Sequence, residues 1–459
     1  MGYGAWTTAG RGQARRARCH PDRARADLLL PGVPARRGVR SHRGRRRLRR
    51  RISGVRGAQR AAFQRDPASR DGLWRVDGLL RRVELQHRGL RRCDACHAGP
   101  AGAQFQGADS LRSCRGTRVN QRQYTAAGVD LESAEAAKAR IGELVAGTRT
   151  PLTAGHVGAF GGMVRVPPGM RSPVLVMSTD GVGTKVLVAL EAGRYDSVGE
   201  DLVNHSVNDI LVHGARPIAF MDYIAGASLT VHQIAGIVEG VARGCRAHGM
   251  ALAGGETAQM PGLYQQGHFD LAGTIVGVVE EDEALHGDRI RAGDVLLGYE
   301  SSGLHTNGYT LARRIVFDVM KLQLHDALGD TGQSVGDALL AVHRSYVAAV
   351  MPVISRMHGL AHITGGGIPG NLVRVLPQGC EAVIEARSWP MPPLFQLLEA
   401  AGGVSTEEMR DVFNLGIGLI AVLPAGEVEA AVRAATSAGV RTWRIGDVRA
   451  GRTGVRFLD

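Results

Sequence analysis

The chain has 459 residues and a net charge of +13, but the charge is split unevenly: residues 1–120 hold 29 Arg, no Lys and 8 acids, a net of +21, whereas residues 121–459 hold 27 Lys plus Arg against 35 acids, a net of −8. The acidic balance of the larger part argues against nucleic acid as its main partner, and no stretch reaches the roughly 18 apolar residues that suggest a membrane span. Only Cys245 and Cys380 lie beyond residue 120, so no disulfide framework is implied and a cytoplasmic location is expected.

Residues 1–120 show no sustained periodicity. Arg-rich runs such as Arg43–Arg51 alternate with Gly, Ala and Pro. Arginine without lysine is what a GC-rich gene yields when read upstream of its start, so the segment is expected to be a disordered extension or a mis-called start. A nucleic-acid-binding arm and a transit peptide are the alternatives. Within it, Cys93-Asp94-Ala95-Cys96-His97 fits the haem-attachment pattern, and Cys19 and Cys114 complete a zinc set on paper. The compositional bias around these residues favours neither.

From Tyr124 the pattern becomes regular. Asp130 is placed to cap a helix with Ala134, Ala137, Ile141, Leu144 and Val145 at helical spacing, closed by Gly147. Gly155–Gly162 has four glycines in eight residues and reads as a mobile loop. The apolar run Val174–Met177 then empties into Ser178-Thr179-Asp180-Gly181-Val182-Gly183-Thr184-Lys185. Glycines let backbone N–H groups approach a polyanion, Asp180 can hold Mg²⁺ and Lys185 is a point charge for phosphate. It is not a P-loop, since Thr184 precedes Lys185. An ordinary strand–turn–helix joint is the bland alternative.

A helix through Lys185–Ala192 follows, then a helix face. Asp201, Asn204, His205, Asn208 and Asp209 fall at i, i+3, i+4, i+7 and i+8. Two acids and two amides on one face can hold Mg²⁺ and nucleotide phosphates; a solvated face would more often carry Lys or Glu. Next come a strand at Ile218–Tyr223 and a helix after Thr230 with Ile234, Ile237, Val238, Val241 and Cys245 on one side. Strands at Met250–Ala253 and Asp270–Val279 follow. The turn Gly254–Gly262 sets Glu256 between glycines, which suits a metal ligand at a strand end or a plain turn.

A charged, non-periodic stretch at Glu280–Gly287 marks a boundary between domains at 121–286 and 287–459. The second opens with the strand Val295–Gly298. It adds a long helix over Val335–Met357, a strand at Gly416–Leu423 and a helix near Glu427–Ala438. Strands alternate with helices, so the fold class is α/β. Ser301-Ser302-Gly303-Leu304-His305-Thr306-Asn307-Gly308-Tyr309 opens a helix and is either an anion site or a set of caps. In His362-Ile363-Thr364-Gly365-Gly366-Gly367-Ile368-Pro369-Gly370, three glycines satisfy G-x-G-x-x-G. With Pro369 present and no N-terminal βαβ unit, a backbone phosphate nest fits better than a dinucleotide site.

Taken together, Tyr124–Asp130, Thr179–Lys185, Val207-Asn208-Asp209, Gly254–Gly262, Ser301–Tyr309, Thr364–Gly367 and Phe413-Asn414-Leu415-Gly416-Ile417-Gly418 resemble the phosphoribosylformylglycinamidine cyclo-ligases (AIR synthetases) over residues 124–459. The resemblance implies ATP-dependent closure of formylglycinamidine ribonucleotide to aminoimidazole ribonucleotide, with Mg²⁺, in a homodimer whose N-terminal domains pair their sheets into a barrel. It implies metal ligation by Asp180, Asp201 and Glu256, and ATP contacts from Gly161, Gly162, Thr179, Gly181, Gly183, Thr184, Asn208 and Asp209. Lys185 is implied on the phosphates and His305 as a group able to move a proton, both catalytic with Asp180. Ser301, Ser302, Asn307, Thr364, Gly365 and Gly366 are implied around the substrate's phosphate or ribose. Thr125, Gln259 and Leu304 depart from the commonest family wording, where Lys, Glu and Pro are frequent. Rival enzymes of similar architecture are selenophosphate synthetase, which would want a Cys or selenocysteine in its N-terminal loop, thiamine-monophosphate kinase, and the amidotransferase-linked enzyme one step earlier. An RNA-binding protein with a degenerate catalytic body is the rival of another class.

Overall fold

The computed structural model describes residues 131–459 apart from residue 157. The Arg-rich segment, the Cys93–His97 motif, the Tyr124 motif and Asp130 lie outside those residues. Helix α1 (Leu131–Ala146) leads to strand β1 (Pro173–Gly181), α2 (Lys185–Ala192), α3 (Asp196–Leu211), β2 (Arg216–Gly226), α4 (Val231–Ala247), β3 (Ala251–Gln259) and β4 (Phe269–Glu280). These strands form one sheet in the order β1-β4-β2-β3, antiparallel except for β2 and β3.

The two faces of this sheet are unlike. Phe220 and Ile224 of β2 are buried against the helices. Leu175, Met177, Met221 and Tyr223 alternate with inward-pointing residues and stand exposed on the other face.

Glycine spacing explains how α3 and α4 pack. Thr230 starts α4 with a capping box, its side chain accepting from Gln233 N while the Gln233 side chain accepts from Thr230 N. Along α4, Gly236, Gly240 and Gly244 recur every fourth residue. A Cβ at these positions would fall 3.2 Å from Tyr195 Cβ, 1.9 Å from Asp196 O and 2.8 Å from Val203 Cβ. Gly199 of α3 answers from the other side, where a Cβ would lie 2.0 Å from Ile237 O. The absent side chains form a channel in which the two backbones nearly touch.

The second half holds β5 (Val295–Glu300), α5 (Tyr309–Arg313), α6 (Val335–Leu339), α7 (Val347–Val350), β6 (Gly359–His362), α8 (Gly367–Leu372), β7 (Cys380–Glu385), α9 (Pro393–Gly402), α10 (Thr406–Val412), β8 (Ile417–Leu423), α11 (Val428–Ser437), β9 (Thr442–Ala450) and β10 (Gly454–Leu458). Its six-stranded sheet runs β10-β7-β9-β5-β8-β6. All neighbours are antiparallel except β10 and β7, so the class is mixed α/β rather than a parallel alternation. One buried apolar cluster joins Phe220 and Ile237 to Leu339, Phe395 and Phe413, so the halves share a core.

The long helix expected over Val335–Met357 is not there. Residues 340–346 leave the helical conformation between α6 and α7, and Met351–Arg356 is a 3₁₀ turn. Their backbone is claimed by side chains of α3 instead.

A Gly240→Val variant should lose about 1–3 kcal/mol of unfolding free energy to overpacking, measured by urea denaturation. Gly142→Ala, at an open position in α1, should be neutral or stabilising in the same experiment.

Candidate active site

Lys185 begins α2 directly after the Thr179–Thr184 loop, and its side chain turns inward. Its Nζ lies 2.7 Å from Asp201 Oδ2, and both side chains are fully buried. The ammonium also donates to Ala341 O at 2.7 Å and His305 O at 3.2 Å. Three donors thus meet three oxygens. Burial pushes the lysine down and the carboxyl up from their ordinary pKa ranges, against their mutual attraction. This corrects two expectations: Lys185 does not face a phosphate and Asp201 does not face a metal. A charge this deep needs a fixed partner, and each is the other's.

The rest of the polar α3 face is spent in the same way. Asp201 Oδ1 accepts from His343 N at 2.7 Å, and Asn208 Oδ1 accepts from Tyr346 N at 3.0 Å. Asn204 and Asn208 donate their amide N–H groups to His343 O and Arg344 O, each at 2.8 Å. Side chains of α3 therefore act as a strand would, satisfying the extended segment 340–346. The face expected to bind Mg²⁺ and nucleotide is, for Asp201, Asn204 and Asn208, the seam between the halves of the chain.

Asp209 and His205 remain, and they join a cluster. His205 Nε2 is 2.7 Å from Asp180 Oδ2 and 3.8 Å from Asp209 Oδ2. Asp209 accepts from Ser178 Oγ at 3.0 Å, and its other oxygen is 2.9 Å from His362 Nδ1. His362 Nε2 meets His343 Nε2 at 3.1 Å, and the Thr306 hydroxyl bridges His205 Nδ1 at 2.8 Å and His343 Nδ1 at 3.3 Å. Burial works to raise the Asp180 and Asp209 carboxyls, but their histidine partners outweigh it and hold both below the usual range. Burial likewise works to lower His205, and Asp180 and Asp209 leave it above its ordinary value.

His305 is part of this packing, not a group open to a groove. It is 1 % exposed, has φ 61°, and stacks on His343 with centroids 3.9 Å apart. Its Nε2 accepts from Ser302 N at 3.1 Å. Burial and the surrounding charged groups hold its pKa well below the ordinary value, which sets it apart from the proton-moving role expected of it.

Three cavities distribute the remaining candidates. A groove of about 620 Å³ is lined by Gly161, Gly162, Thr179, Tyr223, Glu256 and Thr274, beneath the Gly158–Gly162 loop. A second, of about 530 Å³, has Gly183, Thr184, Asn307, Gly308 and Arg314 in its wall. The segment 179–184 therefore has one end in each. The third, of about 570 Å³, includes Ser301, Ser302, Arg344 and Trp443. The expected substrate-phosphate set is thereby divided. Ser302 Oγ donates to Val342 O and Ser301 Oγ to Asn414 Oδ1, whereas a Cβ on Gly365 would lie 3.5 Å from Asn307 Oδ1, bringing the Thr364–Gly366 turn beside Asn307. Asn371 fixes that turn by donating to the carbonyls of Thr364, Gly365 and Gly367.

The expected metal trio is also separated. Asp180 is in register with Gly273, which is in register with Asp222 and then Gly255. Glu256, one residue on, points to the opposite face from that row. Asp222 itself was not singled out by the sequence. It borders the first groove, is 5 % exposed, and its Oδ1 has no hydrogen-bond partner. Burial pushes its carboxyl up to about 7. A Cβ on Gly255 would fall 1.9 Å from Asp222 Oδ1, so only glycine fits opposite.

Residues 161–279 match the family model for the AIR synthase related protein N-terminal domain, and residues 291–459 match its C-terminal counterpart. The phosphoribosylformylglycinamidine cyclo-ligase of Sorangium cellulosum (strain So ce56) is 46% identical over 329 residues, which cover 71% of this chain and 94% of that protein. The protein of the same name from Myxococcus xanthus (strain DK1622) is 47% identical over 332 residues, covering 72% and 96%. Among solved structures, a thiamine-monophosphate kinase from Stenotrophomonas maltophilia K279a aligns with TM-score 0.53 at 19% identity, covering 69% of this chain and 94% of that one. The hydrogenase maturation protein HypE of E. coli aligns with TM-score 0.51 at 19% identity, covering 70% and 92%. At such identity the two structures speak for the fold alone.

Two outcomes are expected. Lys185→Met strands a buried carboxylate and should cost about 3–5 kcal/mol in urea denaturation. For Asp222, the folded pKa lies above the unfolded one, so the native state binds the proton more tightly and stability falls as pH rises from the ordinary carboxyl range to about 7. The loss amounts to about 4 kcal/mol at most. Asp222→Asn should flatten that part of the pH–stability curve, and a curve unchanged in the variant would show that Asp222 stays ionised.

Proposed function

The chain belongs to the AIR synthase related family, and from that premise we propose that it is a phosphoribosylformylglycinamidine cyclo-ligase. The observation that carries the reading is the 46–47% identity to such enzymes over 94–96% of their length. In this reading ATP occupies the first groove, with Gly161, Gly162 and Thr179 against it and the Gly155–Gly162 loop closing over it. The sugar phosphate of formylglycinamidine ribonucleotide occupies the second, among Thr184, Asn307, Arg314 and the Gly365-Gly366 turn. The Thr179–Thr184 segment, lining both, holds the two substrates together.

An amide oxygen is a poor leaving group, and the reaction overcomes this in two steps. The amide oxygen attacks the γ-phosphorus, a new O–P bond forms, the bond to the β-phosphate oxygen breaks, and ADP departs. The amidine nitrogen then attacks the activated carbon, closing the ring as the C–O bond breaks and inorganic phosphate leaves with the oxygen. Positioning and charge neutralisation carry most of the rate. A divalent cation, Mg²⁺ in this reading, supplies charge neutralisation when bound. We assign Asp180 and Asp209 to it; both are partly exposed, and their carboxylates flank His205 Nε2 at 2.7 and 3.8 Å. Glu256 serves the nucleotide groove. A second copy of the chain covers the exposed Leu175, Met177, Met221 and Tyr223 face, giving a homodimer. The buried free thiols of Cys245 and Cys380 suit the cytoplasm.

The test is ADP release with and without formylglycinamidine ribonucleotide. Asp180→Asn should lower substrate-dependent release by about a hundredfold or more, with the circular dichroism unchanged and sedimentation still that of a dimer. Equal ADP release without the ribonucleotide would remove the cyclo-ligase reading.

A further inference from the structure

The third cavity takes no part in the cyclo-ligase reading, yet its wall carries a guanidinium that its surroundings leave largely unpaired. We propose that this cavity is a second small-molecule site, for a planar aromatic or heterocyclic ring bearing an anionic group. Such a site is independent of the assignment of ATP and the ribonucleotide to the other two grooves.

The cavity lies within the second half of the chain, where the end of β5, the segment before α9 and the start of β9 meet. None of its lining residues lines the first groove or the second. Its volume of about 570 Å³ falls in the range of pockets that enclose a small organic ligand.

Glu300, Arg344 and Arg441 are the charged residues of its wall. Arg441 and Glu300 satisfy each other: Arg441 Nε donates to Glu300 Oε1 at 2.9 Å, Arg441 Nη2 reaches the same oxygen, and the guanidinium lies 5.6 Å from the centre of the Trp443 ring. Arg344 is left over. Its Nη2 is 3.7 Å from Glu300 Oε2, beyond hydrogen-bond reach, and its Nη1 donates to Gly439 O at 3.3 Å. Its Nε is shielded from solvent and has no partner among the described residues. Five N–H donors thus make one long bond. A planar fork of donors so little used, beside a cavity, matches a carboxylate or phosphate.

The guanidinium is held at this place from outside. Arg344 O accepts from Asn208 Nδ2 at 2.8 Å, and Tyr346 N donates to Asn208 Oδ1 at 3.0 Å, so α3 fixes the backbone on which Arg344 stands. The hydroxyls that could compete for an anion are committed, Ser301 Oγ to Asn414 Oδ1 and Ser302 Oγ to Val342 O. Anion recognition therefore falls to Arg344.

Trp443, Pro390, Met391 and Pro392 supply the apolar part of the wall. The two tryptophans nearest this wall differ in their state. Trp389 is buried and donates its indole N–H to Leu415 O at 2.9 Å. Trp443 is half-buried, and its indole N–H donates to no described group. Rigid rings and a thioether offer a flat, polarizable surface to an aromatic ligand. An inorganic anion alone leaves that surface wet, and a neutral ring alone leaves Arg344 unpaired. One molecule with both features answers both.

The experiment is calorimetric titration of the full chain with adenosine monophosphate, adenosine and inorganic phosphate. Each probe is run without and with a saturating non-hydrolysable ATP analogue and Mg²⁺. With the analogue present, adenosine monophosphate is expected to bind at one site, about tenfold or more tighter than adenosine or phosphate, and to change a tryptophan emission that Trp443→Phe removes. Arg344→Met should weaken adenosine monophosphate by about tenfold or more and Trp443→Leu by several-fold. Analogue affinity should be unchanged in both, and the melting temperature shows that each has folded. Arg344→Lys, which keeps the charge and loses the fork, should fall between parent and Met variant. Displacement of adenosine monophosphate by the analogue, phosphate binding as tightly as the nucleotide, or undiminished nucleotide affinity in the folded Arg344 variants overturns the proposal. Failure of the analogue to bind the parent chain bears on the cyclo-ligase reading alone.

Discussion

The buried pair of Lys185 and Asp201 governs how the two halves of this chain are joined. Two full charges with no exposure are costly to bury, and the structure meets the cost by pairing them with each other and by hydrogen bonds to the backbone around them. Lys185 reaches two carbonyls of the second half, and Asp201 receives the His343 N–H. Segment 340–346 has to be extended to offer those groups. Asn204 and Asn208 then secure it from the next turns of α3. One ion pair therefore determines a backbone conformation more than 140 residues away.

That join also decides which acids stay free for chemistry. With Asp201 committed, Asp180 and Asp209 are the partly exposed carboxylates of this cluster, and their side chains meet histidines from both halves. His205 comes from α3, while His343 and His362 come from residues 291–459, which match the C-terminal domain model. The imidazoles thus sit where the strand-end loop of the first half and the β6 end of the second converge. Glu256 lies across the sheet from them because strand alternation sends it the other way.

Much of the architecture was readable from periodicity and turn chemistry. The strand before Ser178, the helix over 185–192, the apolar face of α4 and the buried strand at 417–423 stand where local pattern placed them, since each is decided by residues close in sequence. The segment 335–357 was misread because its apolar spacing suits a helix, while its actual conformation is dictated by α3 side chains that no local pattern reveals. The polar α3 face was misread for a related reason: spacing identifies a face but not what covers it. His343 gave no signal at all, since a lone histidine in an apolar stretch gains meaning only through the three other imidazoles around it. Asp222 looked like an ordinary strand residue, and only its place opposite Gly255 exposes it as an orphan.

The interdigitated seam has a mechanical corollary. Helix α3 grips its neighbour through buried charge and four amide contacts, and a shared apolar cluster continues beneath, so the halves cannot rock apart as rigid jaws without breaking all of these at once. What lies outside that seam is the Gly158–Gly162 stretch bordering the first groove, where Phe160 stands fully in solvent and, among the described residues, no side chain of the second half holds it.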